Sequence, residues 1–112
     1  MTLEIRVSPW DALVTQRQAS KVLETYPNLA RHVCVNEHGN TFGDDIAGTW
    51  PAHLLEHLAI ELMAQAHGSG EGLMGHTQLT DEKGLAITKL TFKDDIVALR
   101  CVKDAVAVIN GL

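Results

Sequence analysis

The segment "PAHLLEHLAIELMAQAHG", residues 51–68, leaves this chain few ways to fold. Pro51 suits the first turn of a helix and Gly68 its end. At ~100° per residue, Leu54, Leu55, Leu58, Ala59, Leu62 and Ala66 share one arc, and His53, Glu56, His57, Glu61 and His67 share the opposite one. The leucine stripe has to be covered by other elements. Ile60 and Ala64 sit in the middle of the polar arc, which predicts a lined pocket on that side in place of open water.

The other elements follow from period and punctuation. "TLEIRV" alternates, with Leu3, Ile5 and Val7 on one side and Glu4 and Arg6 on the other, as in a half-buried strand. "SPWD" predicts a helix with Ser8 as N-cap, Pro9 at its first position and Asp11 in its first turn. This helix runs to about Tyr26, with Leu13, Val14, Val22 and Leu23 inward. "ARHVCVNEHGN" predicts a second strand with Val33 and Val35 in phase. "GSGEGLMG" is a flexible connection or a loop with positive φ angles near a ligand. "HTQLT" and "LAITKLTFK" form a hairpin around "DEKG", and the apolar phase slips between Ile87 and Leu90, which predicts a bulge or strong twist. A last helix starts near Asp94 and ends at Asn110–Gly111, with Val97, Cys101, Val102, Ala105, Val108 and Ile109 inward.

The expected order is β-α-β-α-β-β-α in a single domain, residues 1–112. The fold class is α+β, a two-layer sandwich in which helices cover one face of a mostly antiparallel or mixed sheet. The open polar face of that sheet would carry Glu4, Arg6, His32, Cys34 and Asn36.

Charge and composition narrow the function. A formal charge of −5, with only nine scattered Lys and Arg, provides no basic stripe for phosphates, so nucleic acid and anionic membranes are excluded as expected partners. The N-terminus reads as no signal peptide, and no apolar run approaches the ~18 residues of a membrane span. Two cysteines make no disulfide framework, and the expected location is cytoplasmic.

Of six histidines, four lie between positions 53 and 76, and two of these form "HLLEH". This is H-x-x-E-H, the inverted zincin motif. His53 and His57, one turn apart, can reach one ion with Zn–N distances of ~2.0–2.1 Å. Glu56, beside the second histidine, can take a proton from a water on the ion and return it to a leaving group. Glu61 continues the series, but its Cα is ~12 Å along the axis from that of His53, so the two share an ion only if their side chains converge.

"HLLEHLAIEL", the glycine-bearing loop, "GHT", a strand and a closing helix ending "AVAVIN" together resemble the N-terminal domain of cyanophycin synthetases, over residues 50–110. There an H-x-x-E-H-x-x-x-E-L helix is followed by a G-x-T segment. The first 45 residues match only in β-α-β outline. In some of those synthetases the domain resembles a zinc metallopeptidase that cuts the polymer, and the motif also occurs in insulinase/pitrilysin peptidases and in S-ribosylhomocysteine lyase. The resemblance implies His53 and His57 as zinc ligands, Glu56 as general base and Glu61 as third ligand. In the insulinase group that third ligand is a distant glutamate, and in the lyase a cysteine. With no ATP-grasp or ligase domain among these residues, hydrolysis is expected and synthesis is not.

The expected function is therefore a small metal-dependent hydrolase of a peptide or amide bond. The alternative is a non-catalytic accessory or substrate-docking module with a vestigial or structural H-x-x-E-H site. Zinc leads as the metal, although such ligands also suit Mn, Fe and Ni. His76 and Thr77, after the glycine-rich loop, are the candidates for substrate contact, with His76 and Glu71 as reserve ligands. So small a domain offers a shallow pocket, and a homodimer would complete it. Cys101 reads as a buried structural thiol, and Cys34 as a residue of a solvent-facing or interface strand. His38 and Arg100 read as surface residues, and His67 as a favourable partner of the helix C-terminus.

Overall fold

Strand β1 (Thr2–Arg6) forms where the alternation predicts it, and it joins the edge of a three-stranded antiparallel sheet of order β1-β5-β4. The computed structural model describes all residues, 1–112. Strands β4 (Gly75–Leu79) and β5 (Leu85–Leu90) are the hairpin around "DEKG", and Gly84 takes the positive φ of 81° that the turn requires. Leu3 pairs with Thr88 and Ile5 with Ala86, so Leu3, Ile5, Ala86, Thr88 and Leu90 share the face turned toward the helices. Glu4 and Arg6 stay on the exposed face.

Helix α1 is Gln16–Thr25, seven residues shorter at its start than "SPWD" predicts. The backbone of Val14 is instead held by the loop before the next long helix, with Val14 N–H to Thr49 O at 2.9 Å and Gly48 N–H to Val14 O at 2.7 Å. These tertiary bonds occupy groups that a longer helix would need. The N-cap is Thr15, whose side chain accepts from Gln18 N–H while Gln18 accepts from Thr15 N–H, a full capping box. Val14 is buried but Leu13 is half exposed.

Beyond a short 3-10 turn (Pro27–Arg31), β2 (Val33–Asn36) pairs with a short β3 (Gly39–Thr41) in a hairpin of its own. The second strand therefore does not join the main sheet, and its phase is the reverse of the expected one. Val33 is 85% and Val35 82% exposed, whereas His32, Cys34 and Asn36 turn inward. Hydrogen bonding explains the inversion: Asn36 donates to the carbonyls of Cys34 and Thr41, and His32 and Cys34 meet polar side chains of the long helix. One irregularity of register lies in this hairpin, between Val33 and Asn36. The bulge expected between Ile87 and Leu90 is absent, for β5 keeps unbroken register with both neighbours. A buried threonine, Thr88, occupies the inward row and only imitates a phase slip.

Helix α2 (Pro51–His67) has its expected bounds, with Gly68 as a left-handed C-cap at φ 76°. It lies at the centre of the molecule. Leu54, Leu55, Leu58, Ala59 and Met63 are buried, each leucine worth ~1.5–3 kcal/mol of transfer free energy. Glu56, His57 and Glu61 are buried too, because the β2–β3 hairpin, a 3-10 turn at Phe42–Asp44 and strand β4 cover the polar side. Helix α3 (Asp95–Asn110) is capped by Asp94, which accepts from Ile96 and Val97 N–H. Its small inward residues Ala98, Cys101 and Ala105 let it pack closely along α2, so Cys101 is a buried structural thiol. No helix is long and apolar enough to cross a membrane.

Candidate metal centre

The polar side of α2 meets the inward row of β2. Cys34 Sγ lies 3.5 Å from His53 Nε2. Cys34, His53 and His57 each present a ligand atom within 4.8 Å of those of the other two. A tetrahedral ion with Zn–S ~2.3 Å and Zn–N ~2.05 Å separates its sulfur and nitrogen ligands by ~3.6 Å, so the Cys34–His53 spacing fits a shared metal.

The other ring nitrogen of His53 is held in place. Nδ1 shares a 2.7 Å hydrogen bond with Thr49 Oγ1 and lies 3.5 Å from Asp45 Oδ2. Metal-binding histidines commonly have their second nitrogen fixed in this way, which orients the ring. Asp45 also contacts His38, 2.8 Å from its Nδ1. The His57 ring stacks on Phe42 at 3.9 Å and an interplanar angle of 11°. Phe42 itself is fully buried and forms an apolar floor.

Burial favours the neutral forms of His57 and Cys34. Burial, reinforced by His53 and His32 nearby, pushes His57 down to about 3, so its ring is uncharged near neutrality. Burial likewise raises the Cys34 thiol; Asn36 opposes this, and Asp45 and Glu56 add to it. A metal must displace that thiol proton, so its affinity rises with pH. The donor set of one sulfur and two imidazoles suits zinc.

Glu56 stands at the edge of this group. Its Oε1 accepts the Thr77 hydroxyl at 2.7 Å, and Thr77 in turn contacts Thr88 Oγ1 at 2.8 Å. Its Oε2 lies 3.5 Å from His57 Nε2, too far for a good hydrogen bond. Strand β4 passes so close that a Cβ on Gly75 would lie 2.7 Å from Glu56 Cγ, so glycine there leaves room for the carboxylate. Two clefts, of about 590 and 870 Å³, adjoin the site and share Val33, Glu56, His57 and Gly75.

Of the residues named from sequence, His53, Glu56 and His57 converge here. Glu61 does not join the trio. Its Oε1 lies 3.0 Å from His32 Nε2, and its Oε2 accepts from Gln65 Nε2 at 2.9 Å. The sulfur of Cys34 takes the third place, because the inverted phase of β2 brings it onto α2. Thr77 holds Glu56, while His76 is exposed at the rim of the smaller cleft. Glu71 is exposed in the glycine-rich loop, where Gly68 and Gly72 adopt positive φ. Phe42, Asp45 and Thr49 carry no spacing signal of their own. The i, i+2 spacing of His32 and Cys34 puts both on one face of β2, but that face was expected to be solvent-facing or at an interface.

No curated protein and no solved structure matches the chain. The model of the cyanophycin synthase-like N-terminal domain matches residues 3–112, and so extends over residues 3–45, whose likeness by motif alone was only an outline. The chain belongs to the cyanophycin synthase-like N-terminal domain family.

Proposed function

We propose that this domain is a zinc-dependent hydrolase of a peptide or amide bond. Cys34, His53 and His57 would hold the ion, and Glu56 would act as general base. The observation that supports the reading most is the convergence of those three donors within 4.8 Å beside a buried carboxylate. Bound zinc supplies Lewis-acid polarisation of the scissile carbonyl.

The chain's own residues account for the proton. Thr77 occupies Oε1 of Glu56, so Oε2 is the oxygen free to accept a proton from the attacking water. The same carboxyl then returns that proton to the leaving amine. Thr88 steadies Thr77, and the absence of a side chain at Gly75 lets the carboxylate stay in line. The clefts flanking Glu56 and His57 offer a path for an extended substrate. The family's name makes a polymer of Asp and Arg the first substrate to test.

A second reading draws on the 3.5 Å between Glu56 Oε2 and His57 Nε2. Glu56 could close the coordination shell as a fourth ligand and leave a structural, non-catalytic site. Glu56→Gln separates the two. A hydrolase variant keeps its zinc and loses turnover on peptide and isopeptide substrates, whereas loss of zinc on the same change identifies a structural ligand.

A further inference from the structure

We propose that Glu61 and His32 form a positioning relay that fixes the tautomer of His57, placing its ring proton on Nδ1 and leaving Nε2 as the lone pair that faces Glu56. The argument runs along three contacts. Glu61 is an acceptor: burial raises its pKa, but bonds from His32 and Gln65 outweigh this and hold it below the usual carboxylate range. His32 Nε2, at 3.0 Å from Glu61 Oε1, must therefore carry a hydrogen. The relay assigns His32 a single ring proton, on Nε2, which leaves its Nδ1 as a lone pair. That nitrogen lies 3.1 Å from Nδ1 of His57, and two ring nitrogens at that distance need one hydrogen between them. The hydrogen belongs to His57 Nδ1.

The remaining nitrogen, His57 Nε2, then has no proton to give Glu56 Oε2, which agrees with their 3.5 Å separation. A lone pair facing a carboxylate oxygen is repulsive unless a cation lies between or beside them. The relay thus prepares the nitrogen a metal would use. The pattern parallels His53, whose Nδ1 is fixed by Thr49 while Nε2 faces Cys34. Each ligand histidine has its own partner, one on the loop before α2 and one on the segment before β2. The role toward a metal rests on the zinc site proposed above; the proton positions do not.

Long-range 1H–15N spectra of the imidazoles in the metal-free full chain test this directly, with signals assigned by His32→Gln and His57→Asn. The expected result is His57 protonated on Nδ1 and His32 on Nε2. A His57 ring protonated on Nε2, or a doubly protonated His32 donating to His57, overturns the relay. Glu61→Leu, which removes the acceptor, should shift His57 toward the other tautomer and weaken zinc binding by roughly 10–100-fold in chelator competition. Glu61→Gln, which keeps an oxygen for His32, should restore both. Zinc binding unchanged in Glu61→Leu, with the His57 tautomer also unchanged, refutes the relay while leaving the zinc site intact. The expected tautomers in a chain that binds no zinc uphold the relay and remove the metal reading. Should Glu61→Leu fail to fold, the wild-type spectrum still decides.

Discussion

The thiol of Cys34 and Nε2 of His53, nineteen residues apart, lie 3.5 Å from each other across the junction of β2 and α2. The contact exists because β2 turns its polar row inward. Cys34→Ser should weaken zinc binding by more than the ~10–100-fold that loss of an outer partner costs, because it removes a ligand. Cys34 is only partly buried, so the urea midpoint of the metal-free protein should barely move. Chelator competition and urea unfolding on the same preparations check both halves.

Thr49 acts on the same histidine from the other side. Thr49→Val keeps the shape and removes the hydroxyl bonded to His53 Nδ1. Zinc affinity should fall by roughly 10–100-fold while the metal-to-protein ratio at saturation stays the same. Titration with zinc against a competing chelator distinguishes this from loss of the site.

Much of the scaffold was legible in the sequence. Pro51 and Gly68 bounded α2, alternation found β1, "DEKG" gave the hairpin, and Asp94 and Gly111 bracketed α3. The failures share a cause, which is that local pattern does not reveal what covers a face. Val33 and Val35 looked like the inward row of β2, yet the strand has no apolar surface to meet and instead presents His32 and Cys34 to the polar side of α2. "SPWD" looked like a helix start, but the carbonyl of Thr49 claims the Val14 N–H, and the T-x-x-Q box at Thr15–Gln18 was the better signal. Of the site, the two histidines and Glu56 could be read from one helix turn. The sulfur could not, since its place depends on the phase of a strand in another part of the chain.

Gly75 tests the setting of Glu56. A methyl group added there would fall within 3 Å of both Glu56 Cγ and Leu90 Cδ2, so Gly75→Ala must displace the carboxylate or the leucine. The expected outcome is retained zinc with turnover reduced at least ~10-fold, as for a base moved out of line. Metal analysis and an initial-rate assay on one preparation show whether the two part company.

Stability of the metal-free protein should fall in acid. The folded-state pKa of His57, about 3, lies below its unfolded value of 6.5. Between those values the unfolded chain binds a proton that the folded chain does not, so stability is full above pH 6.5 and drops by up to about 1.4 kcal/mol per pH unit below it. Glu61, with its pKa lowered by His32 and Gln65 against the effect of burial, works in the same direction, its contribution fading as pH falls through the carboxylate range. Urea midpoints at pH 7.5, 6 and 4.5 should decline in that order for wild type, and His57→Asn should flatten the decline above the carboxylate range.

The most direct measurement is the zinc content of tag-free protein by elemental mass analysis, with a Cys34→Ser, His53→Ala, His57→Ala variant beside it. The proposed centre predicts about one equivalent of zinc in the wild type and none in the variant. Wild-type protein that retains no metal, and that takes up none tightly when zinc is added, would contradict it and leave the buried His/Glu side of α2 as a hydrogen-bonded polar core.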